Sequence, residues 1–244
     1  MIWVLSLAAG LGAIISAVAG LGGGALLIGV MFALGLTPVV AVPLHAAVQM
    51  AANGSRVMAY WQDVDWRAAG WFLLTCLPLP FLVAPLVARA NVHAIELGLA
   101  LMILSSLIPA SRVHLAEHWS RRRRMLAAGV INGSLGVVVG ATGVAIGPLF
   151  IDKAWTKEQT VGTLALCQTL GHGLKILAFA SAGFVITERL DLLLPLLLAV
   201  ALGTALGRWL MHRVSRQRFD GLFRAVLVLL AMRLAWDGAR GLLA

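Results

Sequence analysis

Seven polar side chains stand at helical spacing inside two otherwise apolar stretches. His45, Gln49, Asn53 and Arg56 are separated by four, four and three residues, and Gln168, His172 and Lys175 by four and three. At about 100° per residue, each set falls on one face of a helix. Ionisable and amide groups inside apolar helices are costly and tend to mark function. A single such Gln is explained by a hydrogen bond to a neighbouring helix, and Arg56 by snorkelling to an interface. Two stripes together are harder to dismiss, and what they offer is donors: an ammonium, a guanidinium, two imidazoles and amide N–H groups. The acids, Asp63, Asp65, Glu96, Glu117, Asp152, Glu158, Glu188, Asp191, Asp220 and Asp237, all lie in links or near segment ends. No carboxylate remains mid-segment to hold sodium, a divalent cation or an organic cation. The sign of the available charge selects an anion, with Lys175 as its main counter-charge. Gln49, Gln168, His45 and His172 are expected to line the site, joined by Asn53, Arg56 and Thr142.

Backbone donors add to this set. Gly20-Leu21-Gly22-Gly23-Gly24 interrupts one apolar run, and another, Met125–Ile151, carries glycine at 129, 133, 136, 140, 143 and 147. Glycine weakens a helix by about 1 kcal/mol relative to alanine, so these clusters predict helix breaks. They also line small residues along one face, where helices can approach closely. A helix restarting after a break points unpaired N–H groups and its positive dipole end at whatever lies beyond it. The backbone at Gly22, Gly23, Gly24 and Gly143, with the Thr142 hydroxyl, is expected to donate to the anion's oxygens.

Other chemistries fail on context. Gly20-Leu21-Gly22-Gly23-Gly24-Ala25 loosely fits a dinucleotide-binding pattern, but no soluble strand precedes it and no acid comes about 20 residues later. There is no GK[ST] phosphate loop, no HExxH and no paired carboxylates. Two histidines without a carboxylate or thiolate partner do not make a metal site, so no metal and no cofactor are expected. Cys76 and Cys167 sit in apolar runs and form no disulfide framework. An intramembrane enzyme would have to rely on Cys167 or Ser134, neither of which has a general base in view.

Composition says what holds these groups in place. Of 244 residues, 61% are hydrophobic and 12% charged, against about 25% charged in soluble domains. A water-exposed surface could not accommodate this without very large apolar patches. The chain divides into eight apolar segments, roughly Ile2–Gly35, Pro38–Trp61, Ala68–Ala90, Ala94–Ala110, Met125–Ile151, Gln159–Ile186, Leu192–Met211 and Leu222–Ala244. The fold class expected is therefore an all-α polytopic membrane protein, with residues 1–244 forming one membrane domain. Pro78, Pro80 and Pro85 predict a kink in the third segment. The start, MIWVLSLAAG, lacks a basic n-region and runs on past any cleavage site, so it reads as part of the fold rather than a signal peptide. The net charge of +9 sits between segments without interleaved aromatics. It is assigned to cytoplasmic loops and anionic lipid, and nucleic acid is excluded as a partner.

A shift of 119 residues superimposes the two glycine-broken segments and the segments next after them. Gly10 meets Gly129, Gly24 meets Gly143, Thr37 meets Thr156, Gln49 meets Gln168, Gly54 meets Gly173, and Arg56 meets Lys175. The chain divides into a first repeat, 1–110, and a second, 125–244. If all eight segments crossed, the loop with Arg112 and Arg121 to Arg124 and the loop with Arg208, Arg213, Arg216 and Arg218 would face opposite sides. Both are strongly basic and belong in the cytoplasm. The conflict disappears if the first and fifth segments are re-entrant, entering and returning on the same side. The halves then become inverted repeats with three full crossings each and both termini extracytoplasmic. Inverted repeats with broken helices are a common architecture of secondary transporters.

AGLGGGALLIGVMFALGLTPVVAVPLHAAVQ in the first half and VGATGVAIGPLF with TVGTLALCQTLGHGLK in the second resemble the TauE/SafE family of sulfite and organosulfur-anion exporters. The likeness spans the whole chain. It departs at Ala141-Thr142-Gly143, where consecutive glycines are common, and at Gly29, where proline is often found. The resemblance implies export of a small anion, such as sulfite or the sulfonate sulfoacetate, across the cytoplasmic (inner) membrane. The resulting expectation is a secondary transporter working by alternating access, not an enzyme, with a passive anion channel as its rival. Expected partners are the small anion, the lipid bilayer and, through a histidine titrating near neutral pH, the proton as coupling ion. A homo-oligomer is left open.

Overall fold

The links between the apolar segments carry the groups that start and stop helices. Thr156 and Gln159 close a capping box: the Gln159 N–H donates to Thr156 Oγ1 and the Thr156 N–H to Gln159 Oε1, both at 3.1 Å. Asp65 Oδ1 accepts from the Ala68 N–H at 2.9 Å, and Ser120 and Asn91 cap their helices in the same way. Each satisfies an amide that the first helical turn leaves unpaired. Gly35, at φ +80°, ends one helix by the opposite device. Its N–H donates to the Phe32 carbonyl, and the Leu36 N–H reaches back to Met31, the double bond of a Schellman turn.

The computed structural model describes residues 1–19, 23–107, 118–210 and 216–243. Among these residues the structure is helical, without strands: α1 (Ile2–Ala19), α2 (Gly23–Ala33), α3 (Pro38–Ala59), α4 (Trp66–Cys76), α5 (Leu79–Val87), α6 (Val92–Ser106), α7 (Arg121–Gly133), α8 (Leu135–Val139), α9 (Gly143–Ile146), α10 (Lys157–Ser181), α11 (Leu190–Leu210) and α12 (Arg216–Leu243). The expected proline kink falls between α4 and α5, where the axis bends by 44°. Gly22 and the basic residues Arg112 and Arg213 lie outside the described residues.

Both glycine-rich segments are broken helices. The first divides into α1 and α2, and the start of α2 packs against α1. A Cβ at Gly23 would lie 1.8 Å from the Gly12 carbonyl oxygen, an approach that only two glycines permit. The second divides into α7, α8, α9 and a 3-10 turn at Gly147–Phe150. Ile2 and Arg121, the first residues of α1 and α7, are 119 apart, and so are Pro38 and Lys157, the first residues of α3 and α10.

Long helices pack in pairs. Gly162, early in α10, abuts the Tyr60 carbonyl just past the end of α3, and Gly173 sits by Met50 Sδ, so α3 and α10 run antiparallel. Gly238 of α12 abuts the His93 carbonyl at the start of α6, while Arg224 donates to Leu107 at its end, so that pair is antiparallel too. Two apolar clusters fill the interior. Along α10 one takes Ala165, Leu166 and Cys167 and the other Ala178 and Phe179; along α3 they take Val48 and Val57. The polar residues Gln49, Asn53, Gln168, His172 and Lys175 fall between these stretches.

Outside, α11 turns Leu194, Leu198, Leu202 and Leu206 outward, each 46 to 62% exposed. A leucine ridge at every fourth residue suits hydrocarbon and not water. Ile186–Gly207, with mean hydropathy 2.1, is the one helix among the described residues long and apolar enough to cross a bilayer alone. The bent α4–α5 pair also passes when taken as one span.

Candidate functional site

The α3 and α10 stripes face each other. The rings of His45 and His172 stand edge to face with centroids 5.8 Å apart, and both side chains are buried. His45 Nε2 lies 3.0 Å from the Gly24 carbonyl. A carbonyl only accepts, so Nε2 carries a proton. The Nδ1 atoms of His45 and His172 are buried without a hydrogen-bond partner among the described residues, a costly condition that invites one.

Lys175 is completely buried. Its ammonium donates to the Gly140 carbonyl over 3.3 Å, and among the described residues no carboxylate oxygen lies within 4.0 Å of it. The chain leaves room for the ammonium at Gly136, where a Cβ would sit 2.8 Å from Nζ and 3.2 Å from Thr142 Oγ1. Gly140, at φ +81°, ends α8 and brings its own backbone against Ile28 and His45. Left-handed backbone in contact with a neighbouring helix is open to glycine alone.

The two breaks therefore meet at this point. Gly24 opens the first turn of α2, and a Cβ there would be 3.1 Å from the Gln49 amide carbon and 3.2 Å from His45 Nε2. Gly143 opens α9, and a Cβ there would be 3.0 Å from Gln168 Nε2. These pairs correspond under the shift of 119: each break glycine faces the glutamine of its own half. Gly23 instead lies against the Gly12 carbonyl and packs α2 on α1.

The remaining candidates are placed differently. Thr142 is buried, and its hydroxyl donates to Asn132 Oδ1 at 2.6 Å. Asn53 donates to the Gln49 carbonyl and accepts from Arg56 Nη1 at 3.1 Å. Arg56 sits half-buried in the last turn of α3, about 16 Å along the helix from His45 at 1.5 Å per residue. Asn53 and Arg56 thus form a local chain that does not touch Lys175.

Sequence reasoning missed Asn132. It is fully buried, joins Thr142 to the Cys76 thiol, 3.6 Å from its Nδ2, and packs where Gly171 lacks a side chain. The available signal was that Asn132 is the single Asn or Gln in Met125–Ile151. No group of three or more His, Cys, Asp or Glu suited to a metal occurs among the described residues.

The arrangement is a buried cluster of polar groups around Lys175, whose ammonium has no counter-ion among the described residues. A single charge at this depth costs several kcal/mol unless something pairs with it. The family model described as "Sulfite exporter TauE/SafE" matches residues 5–234. No curated protein and no solved structure matches the chain. Helices with lipid-suited flanks, glycine breaks meeting at a buried cation and a match over nearly the whole length agree, and the chain belongs to the TauE/SafE sulfite exporter family, whose members are membrane transporters and not enzymes.

Proposed function

We propose that the protein exports a small oxyanion, sulfite or a sulfonate such as sulfoacetate, across the cytoplasmic membrane as a multi-pass secondary transporter. The observation that carries this reading is Lys175: a wholly buried ammonium whose hydrogen bond goes to a neutral carbonyl, set where two broken helices converge. The anion is the missing partner. Gln49, Gln168 and His172 offer it donors. His45, whose Nε2 proton already goes to the Gly24 carbonyl, adds a second N–H at Nδ1 only when it takes up a proton. Thr142, held by Asn132, lies beside the ammonium.

The halves act as inverted repeats. The shared offset of 119 between element starts supports this, as does the antiparallel packing of α3 on α10, which correspond under that offset. Helices related by an axis along the membrane normal would run parallel. An axis in the membrane plane makes them antiparallel. The α1–α2 and α7–α9 segments are then re-entrant. At about 1.5 Å per residue, the 11 residues of α2 cover about 16 Å of a bilayer core of about 30 Å. This topology puts 14 of the 19 Lys and Arg residues at the cytoplasmic side or at helix ends facing it.

The test is flux in proteoliposomes across a panel of sulfite, sulfoacetate, sulfate and a monovalent cation. Uphill oxyanion flux that collapses with an uncoupler is expected. Flux that only runs downhill and ignores the uncoupler makes the protein a channel, and cation flux overturns the reading altogether. For the alternating step, a cysteine replacing Gln49 should react with a membrane-impermeant thiol reagent from either face. Reaction from one face only refutes alternating access.

A further inference from the structure

The four consecutive arginines that open α7 divide into two pairs. Arg121 and Arg124, one turn apart, face inward. Arg121 binds Asp152 at 2.9 Å and Asp65 at 3.3 Å, while Arg124 binds Asp152 and the Ile151 carbonyl. Arg122 and Arg123 face outward. Both are exposed, and neither has a carboxylate within 4.0 Å among the described residues. Each is instead laid over an indole, Arg122 at 4.4 Å from the Trp71 ring and Arg123 at 5.7 Å from that of Trp119.

The surroundings say what lies outside. Five of the eight tryptophans, Trp61, Trp66, Trp71, Trp119 and Trp155, gather at this end of the molecule. Trp61 and Trp66 are edge to face at 4.6 Å and more than half exposed. Trp155 shares Asp65 with Arg121 and stacks on it at 5.0 Å. Tryptophan concentrates at the depth of lipid headgroups. A guanidinium stacked on an indole keeps its N–H edge free and in plane, the geometry that grips two phosphate oxygens at once. Two such edges at headgroup depth, with no carboxylate within 4.0 Å among the described residues, are complementary to phosphodiester oxygens.

We propose that Arg122 and Arg123, stacked on Trp71 and Trp119 at the start of α7, bind the phosphodiester headgroup of an anionic phospholipid. The inference rests on the membrane location of the chain and not on the identity of the exported anion. It goes beyond a topology signal, because an orientation signal requires charge but neither stacking nor a particular pair.

The test uses the full chain in neutral detergent, titrated with phosphatidylglycerol, phosphatidylcholine or inorganic phosphate, and tracks the melting temperature and bound lipid by native mass spectrometry. Phosphatidylglycerol should stabilise the wild type and remain bound, while phosphatidylcholine and inorganic phosphate should do neither. Arg122→Gln with Arg123→Gln should weaken lipid binding by about twenty-five-fold, fivefold for each charge at a membrane surface. Arg122→Lys with Arg123→Lys, which keeps charge and loses the stacked fork, should fall between. Arg89→Gln, an exposed arginine elsewhere, should bind as the wild type does. Equal binding by the double Gln variant, equal loss in Arg89→Gln, or full replacement by inorganic phosphate would each overturn the proposal. If the double Gln variant does not fold, the Lys pair decides: wild-type lipid affinity there sinks the stacked site.

Discussion

Replacing Lys175 by methionine separates a binding charge from a structural one, because the two roles predict opposite signs. The ammonium is wholly buried, with one 3.3 Å hydrogen bond to a carbonyl. Burying a charge costs several kcal/mol, and a hydrogen bond returns about 1 to 3. Methionine keeps the length of the chain and removes that cost. The melting temperature of ligand-free Lys175→Met should therefore equal or exceed that of the wild type. Binding should move the other way. A charge-assisted hydrogen bond to the anion is worth about 1.5 to 3 kcal/mol, a loss of roughly 10- to 150-fold in affinity. At a sulfite concentration of 100 Kd the wild type gains about 2.7 kcal/mol of stability. A variant weakened about 30-fold would gain roughly 0.9 kcal/mol at that same concentration. The assay is a thermal melt with and without sulfite, paired with flux in proteoliposomes. Lys175→Arg should recover little, since the backbone at Gly136 and Gly140 already packs against Nζ and leaves no space for a guanidinium. A Met variant that melts early yet binds sulfite with wild-type affinity would refute the reasoning and make Lys175 a structural group.

Three further outcomes are expected. Gly23→Ala should abolish folded protein in detergent size-exclusion profiles, because its Cβ would meet the Gly12 carbonyl at 1.8 Å; Gly54→Ala, with nothing within 4 Å, should be tolerated and stabilise α3 by up to about 1 kcal/mol. The Arg121 guanidinium holds the Asp152 carboxyl at about 2 against an ordinary 3.8, so its contribution is complete above pH 3.8 and fades as pH falls towards 2. That is about 2 kcal/mol at most and nearer 1 after screening, and Asp152→Asn should flatten this part of the melting-temperature profile against pH. Asn132→Ala should weaken sulfite binding several-fold by freeing the Thr142 hydroxyl; affinity restored by Asn132→Gln but not by Asn132→Leu would mark hydrogen bonding rather than volume.

What was legible in the sequence was the part that helical periodicity and composition encode. The spacing of His45, Gln49 and Asn53 against Gln168, His172 and Lys175 identified two faces, and the structure sets those faces together. The glycine runs marked both breaks, because a stretch without side chains has little reason to stay helical. Asn132 escaped because it stands alone in its segment, and its significance arises only from Thr142, ten residues on, and from Cys76, on a helix 56 residues away. The division of Arg121 to Arg124 into inward and outward pairs escaped for the same reason. Charge runs are readable in sequence, but the partners Asp65 and Asp152 come from links that only folding brings near. Gly23 belongs to a third kind, where the pattern marked the residue correctly as special but not that Gly12 was its neighbour.

On the proposed inverted repeat, Arg56 and Lys175 are equivalent positions with unequal chemistry. They correspond under the offset of 119, and α3 and α10 cross antiparallel, so the two cations lie at comparable distances on either side of the crossing. Their surroundings are not comparable. Lys175 is sealed beneath Gly140, whereas Arg56 is half-buried and bonded to Asn53 within its own helix. Were the halves inverted repeats, unequal burial at equivalent positions would follow from their adopting different conformations at one time. If the halves exchange conformations during transport, Arg56 becomes the sealed cation and Lys175 the open one, and the anion passes from one to the other. Saturating anion should then change amide exchange in the last turns of α3 and around Lys175 in opposite senses. Changes of the same sign at both places would mean that the asymmetry is permanent and that the second cation has no part in the cycle.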